Sequence, residues 1–113
     1  MYGIIFTESV NDGITHSRNV CVFADGEVDR CATGSGVSGR AAIHHARNEL
    51  APNEEIRIES IVGSHLTVEI TSTCNYGNFE AVVPKVSGSS YFIGCNEFWL
   101  DESDKLGEGF LLR

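Results

Sequence analysis

The segment from about Gly36 to Leu50 most constrains what this chain can become. Val37, Ala41, Ala42 and Ala46 recur there at helical spacing and form a narrow apolar stripe of small residues. Pro52 and Asn53 stop the helix. A stripe built mainly of alanines lets other backbone come close, which suits a helix surrounded by sheet. The periodicity is not repeated elsewhere, so the remaining core must come from strands.

The rest of the chain reads as short β runs. Tyr2 to Thr7 is apolar and β-leaning, and Asn11-Asp12-Gly13 ends it in a turn. Asn19 to Phe23 alternates, with Val20 and Val22 on one side and Cys21 and Phe23 on the other. Asp25-Gly26 predicts a hairpin into Glu27 to Asp29. Beyond the helix, Ile56 to Glu59, Leu66 to Thr71, Phe79 to Val83, Tyr91 to Ile93 and Phe98 to Leu100 are rich in β-branched or aromatic residues. Gly63, Asn75, Gly77, Asn78, Gly88 and Gly94 mark the connections. No fixed-period repeat or linker divides the 113 residues, and 42% hydrophobic content is enough for a core. The expected class is an α/β (α+β) unit dominated by strands.

Charge and cysteine usage narrow the function classes. With 16 acids against 8 Lys and Arg, the net charge of −8 argues against a nucleic-acid partner. Acids crowd between Glu97 and Glu108, where Lys105 is the sole base, and read as a solvated face. The longest unbroken apolar run, Val20 to Ala24, is far short of the roughly 20 residues a spanning helix needs, so no membrane partner is expected. The first basic residue is Arg18, which leaves no n-region for a signal peptide and makes a cytoplasmic location the expectation. Cys21, Cys31, Cys74 and Cys95 have no C-x2-C pairing, so reduced thiols are expected rather than a zinc knuckle.

The densest chemistry lies in Asp29-Arg30-Cys31-Ala32-Thr33-Gly34-Ser35-Gly36-Val37-Ser38-Gly39-Arg40, which runs into the helix. Glycines at 34 and 36 allow close approach of a ligand to backbone, and the unpaired N–H groups of a helix start suit a carboxylate or phosphate. Equally, Ser35 or Ser38 caps the helix and the glycines make only a turn. Gly34, Gly36 and Gly39 also spell G-x-G-x-x-G, with Glu59 further on. The dinucleotide reading fails because no strand directly precedes Gly34 and no further helices alternate with the later strands. His44 and His45 are neighbours on a helix and point about 100° apart, poorly placed to share a metal. His16 and His65 sit in or beside loops, so all four histidines read as surface or hydrogen-bonded residues. Cys31 lies near a helix start, where a thiol can be activated; a small buried hydrophobe is the alternative for it and the expectation for the other cysteines.

Four longer stretches carry a resemblance: H-S-R-N-V-C-V-F-A-D-G-E-V-D-R from His16, T-G-S-G-V-S from Thr33, E-S-I-V-G-S from Glu59 and V-S-G-S-S-Y-F-I-G from Val86. Together, and from Tyr2 to Leu112, the chain resembles the C-terminal part of the proline racemase family. That family includes 4-hydroxyproline epimerases and trans-3-hydroxy-L-proline dehydratases. The resemblance implies a diaminopimelate epimerase-like fold, with short strands wrapped around one central helix. The chain would then be a single C-terminal domain, or a fragment, of a two-domain enzyme whose site lies between the domains. It also implies catalysis without metal or cofactor on a small imino acid, proline or a hydroxyproline, and self-association or a missing N-terminal domain as partner.

Residue roles follow from the same resemblance. Racemases and epimerases use two cysteines, one per domain, on opposite sides of Cα. Nothing here matches the first, and Thr33 stands where the second belongs, the substitution that marks the dehydratases. A threonine hydroxyl is too weak an acid to hold an anion at neutral pH, whereas elimination needs only one base at Cα. Asp29 would meet the ring ammonium, the backbone of Gly34 and Ser35 would cradle the carboxylate, and Phe23 would pack on the pyrrolidine ring. Cys31-Ala32 departs from the usual Ser-Pro, and Gly39 from the usual alanine. The expectation is part of a trans-3-hydroxy-L-proline dehydratase, inactive alone. The alternatives are a racemase or 4-hydroxyproline epimerase fragment, and a non-catalytic domain that keeps a carboxylate-binding loop.

Overall fold

The computed structural model describes residues 2–110, so Leu111 and Leu112 at the end of the resemblance lie outside the described residues. In chain order the elements are β1 (Gly3–Ser9), β2 (Ser17–Phe23), α1 (Gly34–Ala46), β3 (Glu55–Ser60), β4 (His65–Tyr76) and β5 (Phe79–Gly88). The strands form one sheet in the order β1-β2-β3-β4-β5. Only β2 and β3 pair in parallel; the other neighbours are antiparallel. A parallel pair needs a crossover, and α1 supplies it. This is the α/β (α+β) unit expected from one helix among short strands.

The helix covers the sheet through Val37 and Ala41, both fully buried. They cluster with Ala32, Leu50, Ile58, Val68 and Ile70, and Ile56, Leu66 and Val82 pack at the margin. Small side chains are needed here because the packing is close. A Cβ on Gly36 would overlap the Ile5 Cδ1 methyl of β1, so this glycine serves helix–sheet contact rather than ligand access.

The helix starts at Gly34 and ends at Ala46, earlier at both ends than Gly36 to Leu50. Its stop is Asn48, at φ 58°, rather than Pro52 and Asn53. The Asn48 N–H bonds the His45 carbonyl at 2.9 Å, and the chain then turns Leu50 back into the core. No serine caps the helix: Thr33 holds the N-cap position without a side-chain bond, and the Ser38 hydroxyl donates to the Gly34 carbonyl at 2.8 Å.

Other local expectations fare unevenly. Asp12 makes the turn before β2, its Oδ1 accepting the Ile14 and Thr15 N–H groups at 2.8 and 2.6 Å, with Gly13 at φ 75°. The hairpin after Asp25-Gly26 shrinks to a single bridge between Val22 and Val28. β4 and β5 run much further than predicted, to Tyr76 and Gly88, joined by Gly77-Asn78 with Gly77 at φ 60°. Tyr91 to Ile93 and Phe98 to Leu100 form no strands. Among the described residues nothing pairs along β5's outer edge, and without a ladder a short apolar run gains little as a strand. Of the cysteines only Cys21 is buried; Cys31, Cys74 and Cys95 are exposed and all are free thiols.

Candidate active site

The site is built on the loop between the Val22–Val28 bridge and α1. The Asp29 N–H bonds the Cys21 carbonyl of β2 at 2.9 Å, which fixes where the loop leaves the sheet. Asp29 then folds the next residues around its carboxylate. Its Oδ1 accepts the Cys31 N–H at 2.9 Å, and its Oδ2 accepts the Thr33 hydroxyl at 3.0 Å and the Cys31 thiol at 3.5 Å. Burial alone would raise the Asp29 pKa. The Cys31 N–H, the Thr33 hydroxyl, the Cys31 thiol and the Arg30 charge outweigh it and hold the carboxyl below its ordinary value. The result is a half-buried anion that keeps its charge.

Thr33 has φ 63° and ψ 92°, a left-handed conformation costly for a β-branched residue. Bonds on each side hold it there. Its N–H donates to Cys31 Sγ at 3.2 Å, its carbonyl accepts the Val37 N–H at 2.8 Å, and its hydroxyl lies on Asp29. The kinked residue brings Asp29 and Thr33 together at the mouth of α1. The first-turn N–H groups of Gly34 and Ser35 follow directly, and a Cβ at Gly34 would meet nothing within 4 Å. An anion can reach this end of the helix without displacing side chains.

Phe23 stands apart from this group. It is half-buried, packs edge-on against Tyr2 at 5.6 Å, and lines a cleft of about 380 Å³ with Gly3, Ile4, Phe6, Val22 and Ala24. A second cleft, of about 250 Å³, joins it to Tyr2, Asp25 and Glu27. Neither cleft includes Asp29, Thr33, Gly34 or Ser35. The loop residues therefore converge, and the aromatic lies beside rather than within their cluster.

Three residues escaped the sequence reading. Ser17 and Asn19 of β2 are buried beneath α1, and the Arg40 Nη1 donates to both, at 2.8 and 2.7 Å. The alternation of Val20 with Val22 drew attention to the other face of the strand. The available signal was a polar pair two residues apart in a strand with an arginine on the following helix. Among the described residues no three His, Cys, Asp or Glu side chains form a metal-binding group.

Comparison with known proteins gives this geometry a setting. The chain is 48% identical over 113 residues to a trans-3-hydroxy-L-proline dehydratase of Colwellia psychrerythraea, covering all of this chain and 32% of that protein. It is 40% identical over 109 residues to a proline racemase of Clostridioides difficile, covering 96% of this chain and 32% of that protein. A hydroxyproline epimerase of Agrobacterium vitis, solved with bound trans-4-hydroxy-L-proline, superposes with a TM-score of 0.78 at 31% identity. That match covers 99% of this chain and 32% of the epimerase. The chain thus spans about a third of the length of these relatives, and the mixed sheet with its one helix is of the diaminopimelate epimerase-like type. The proline racemase family model matches residues 1–111, and the chain belongs to that family.

Proposed function

We propose that this chain is the C-terminal part of a trans-3-hydroxy-L-proline dehydratase, contributing one wall of its active site. The observation that carries the reading is the Thr33 hydroxyl, which donates to Asp29 at 3.0 Å at the position that the resemblance assigns to the second catalytic cysteine of racemases and epimerases. A hydroxyl engaged in this way supplies no base for the second face of Cα. Dehydration needs none. A base from the other wall takes the Cα proton, the Cβ–O bond breaks, and the departing hydroxyl takes that proton from the base and leaves as water, which regenerates the base. The enamine formed between Cα and Cβ then tautomerises to a pyrroline carboxylate. Asp29 pairs with the ring ammonium by charge and hydrogen bonding, and the Gly34 and Ser35 N–H groups hold the carboxylate. Phe23 lines the neighbouring clefts rather than this cluster and takes no part in the scheme. No metal or cofactor takes part in this scheme.

Cys31 gives the epimerase reading its one foothold, because an exposed thiol sits 3.5 Å from the Asp29 carboxylate. It is offset from Thr33 and accepts that residue's N–H, so its sulfur serves the loop. The deciding experiment assays the longer protein that carries this chain on trans-3-hydroxy-L-proline, 4-hydroxyproline and L-proline. Loss of water from the first substrate supports dehydration; inversion at Cα without loss of water rejects it. The 113-residue chain alone should show no turnover, since the base on the other wall is not in it.

A further inference from the structure

A chain of hydrogen bonds runs under α1 and ends at the candidate site. Glu49 Oε2 lies 2.7 Å from His44 Nδ1, His44 Nε2 lies 3.4 Å from Arg40 Nη2, and Arg40 Nη1 lies 2.7 Å from Asn19 Oδ1. Asn19 Nδ2 then faces the carbonyl of Ala32, the residue before Thr33, at 3.4 Å. Guanidinium can only donate, and this fixes every direction in the chain. His44 must accept at Nε2, so its proton sits on Nδ1 and faces Glu49. Asn19 must turn its oxygen to Arg40, so its NH2 group points at Ala32. Reversing the amide would set donor against donor in a buried place, because Asn19 is 1% exposed and Ala32 fully buried.

Arg40 is unusual in its own right. It is half-buried, and among the described residues no carboxylate lies within ion-pair distance of it. Desolvating a guanidinium with only neutral partners carries a cost. Its two short bonds, to Ser17 and Asn19, both serve to orient the strand beneath the site loop.

We infer that Arg40 and Asn19 are positioning residues for the candidate site: Arg40 selects the amide orientation of Asn19, Asn19 holds the Ala32 carbonyl, and Thr33 thereby keeps its left-handed turn toward Asp29. The link to catalysis rests on the dehydratase reading; the positioning itself does not. Ser64 secures the other end of the loop, its hydroxyl donating to the Arg30 carbonyl at 3.4 Å. The two anchors hold the chain at Arg30 and Ala32, just before the strained residue, and of the two only Asn19 is itself oriented by a charged group.

The test follows the Ala32 carbonyl carbon and Thr33 N–H resonances by NMR in the 113-residue chain, with Thr33 amide exchange and global stability measured alongside. Arg40→Met should shift both resonances and speed Thr33 exchange about fivefold, as expected for loss of one hydrogen bond's worth of restraint. Arg40→Lys, which keeps a donor able to reach Asn19, should restore much of the difference. Asn19→Asp keeps the acceptor for Arg40 but removes the donor to Ala32, and should shift the same two resonances. Val68→Ala, a core truncation in β4, should lower global stability and leave them in place. Unchanged Thr33 signals in folded Arg40→Met and Asn19→Asp overturn the inference, as does an equal shift in Val68→Ala. None of these measurements needs turnover, so a failed dehydratase assay and a failed clamp are told apart.

Discussion

Gly39 lies on the exposed side of α1 with no positive φ, and a Cβ built on it meets nothing within 4 Å. Here glycine serves no packing or conformational need that the structure reveals, and it loses the most backbone freedom on folding. Gly39→Ala should therefore stabilise the chain by about 0.5–1 kcal/mol, read as a raised denaturation midpoint with an unchanged slope. Asp29 makes the opposite kind of prediction. Its folded pKa is lowered, so its contribution is fully present above the unfolded value of about 3.9 and fades as pH falls through the folded value. Asp29→Asn should lose stability near neutral pH and show a shallower acid decline, measured by denaturation at about pH 7 and about pH 3. Asp29 and Thr33 were legible through the resemblance, whereas the hydrogen bonds that join them, two residues on to a backbone donor and four to a hydroxyl, were not. Arg40 was not legible either, because its acceptors Ser17 and Asn19 lie on another element and the period-2 pattern advertised only the valines that follow them.

At the scale of elements, the start of α1 comes up close against β1. Gly36 faces the Ile5 Cδ1 methyl, and a new Cβ there must push that methyl aside. Gly36→Ala gains helix propensity of about 1 kcal/mol but meets an overpacking cost of about 1–3 kcal/mol. The expected net loss is about 1 kcal/mol, largely recovered in Ile5→Val, which removes the Cδ1 atom. A double-mutant denaturation cycle measures that coupling, and equal loss in both backgrounds would refute the contact. The helix itself could be found from its alanine stripe, yet its end could not: Asn48 in a left-handed conformation stops it while the apolar pattern continues to Leu50. The long β4–β5 hairpin was hidden for a similar reason. Asn75 marked a connection and the apolar strand signal stopped at Thr71, but Ser72, Thr73, Cys74 and Asn75 lie on an exposed extension of the ladder whose hydrogen bonds run backbone to backbone. The register shift at Ile70/Ser72, where the Thr71 hydroxyl donates to the Val83 carbonyl at 2.9 Å, marks where burial ends and that extension begins.

The molecule as a whole leaves many large apolar side chains exposed. Its radius of gyration is 18.6 Å, against about 13 Å for a compact domain of 100 residues, and its extents are 57 × 38 × 27 Å. Part of that span is the run after β5, where Phe92, Ile93, Phe98 and Trp99 are almost fully exposed. A second apolar area lies on the outer face of the sheet, where Ile4 and Phe6 of β1 stand opposite Val22 and Val20 of β2. Such surface is expected to favour association. The net charge of −8 opposes it, with exposed Asp101, Glu102 and Asp104 set beside the apolar run. Screening those charges removes the opposition without weakening apolar contact. The 113-residue chain should sediment above its 12.3 kDa monomer mass as concentration rises, and more so as salt is added. Trp99 is the sole tryptophan, so its emission reports this directly. In dilute, low-salt solution it should be that of a water-exposed indole, open to iodide. It should move to shorter wavelength and lose quenching by neutral acrylamide, a probe unaffected by screening, as the mass rises. A monomer at every concentration would show that neither apolar surface binds a second copy. Association with Trp99 still exposed would assign the contact to the outer face of β1 and β2.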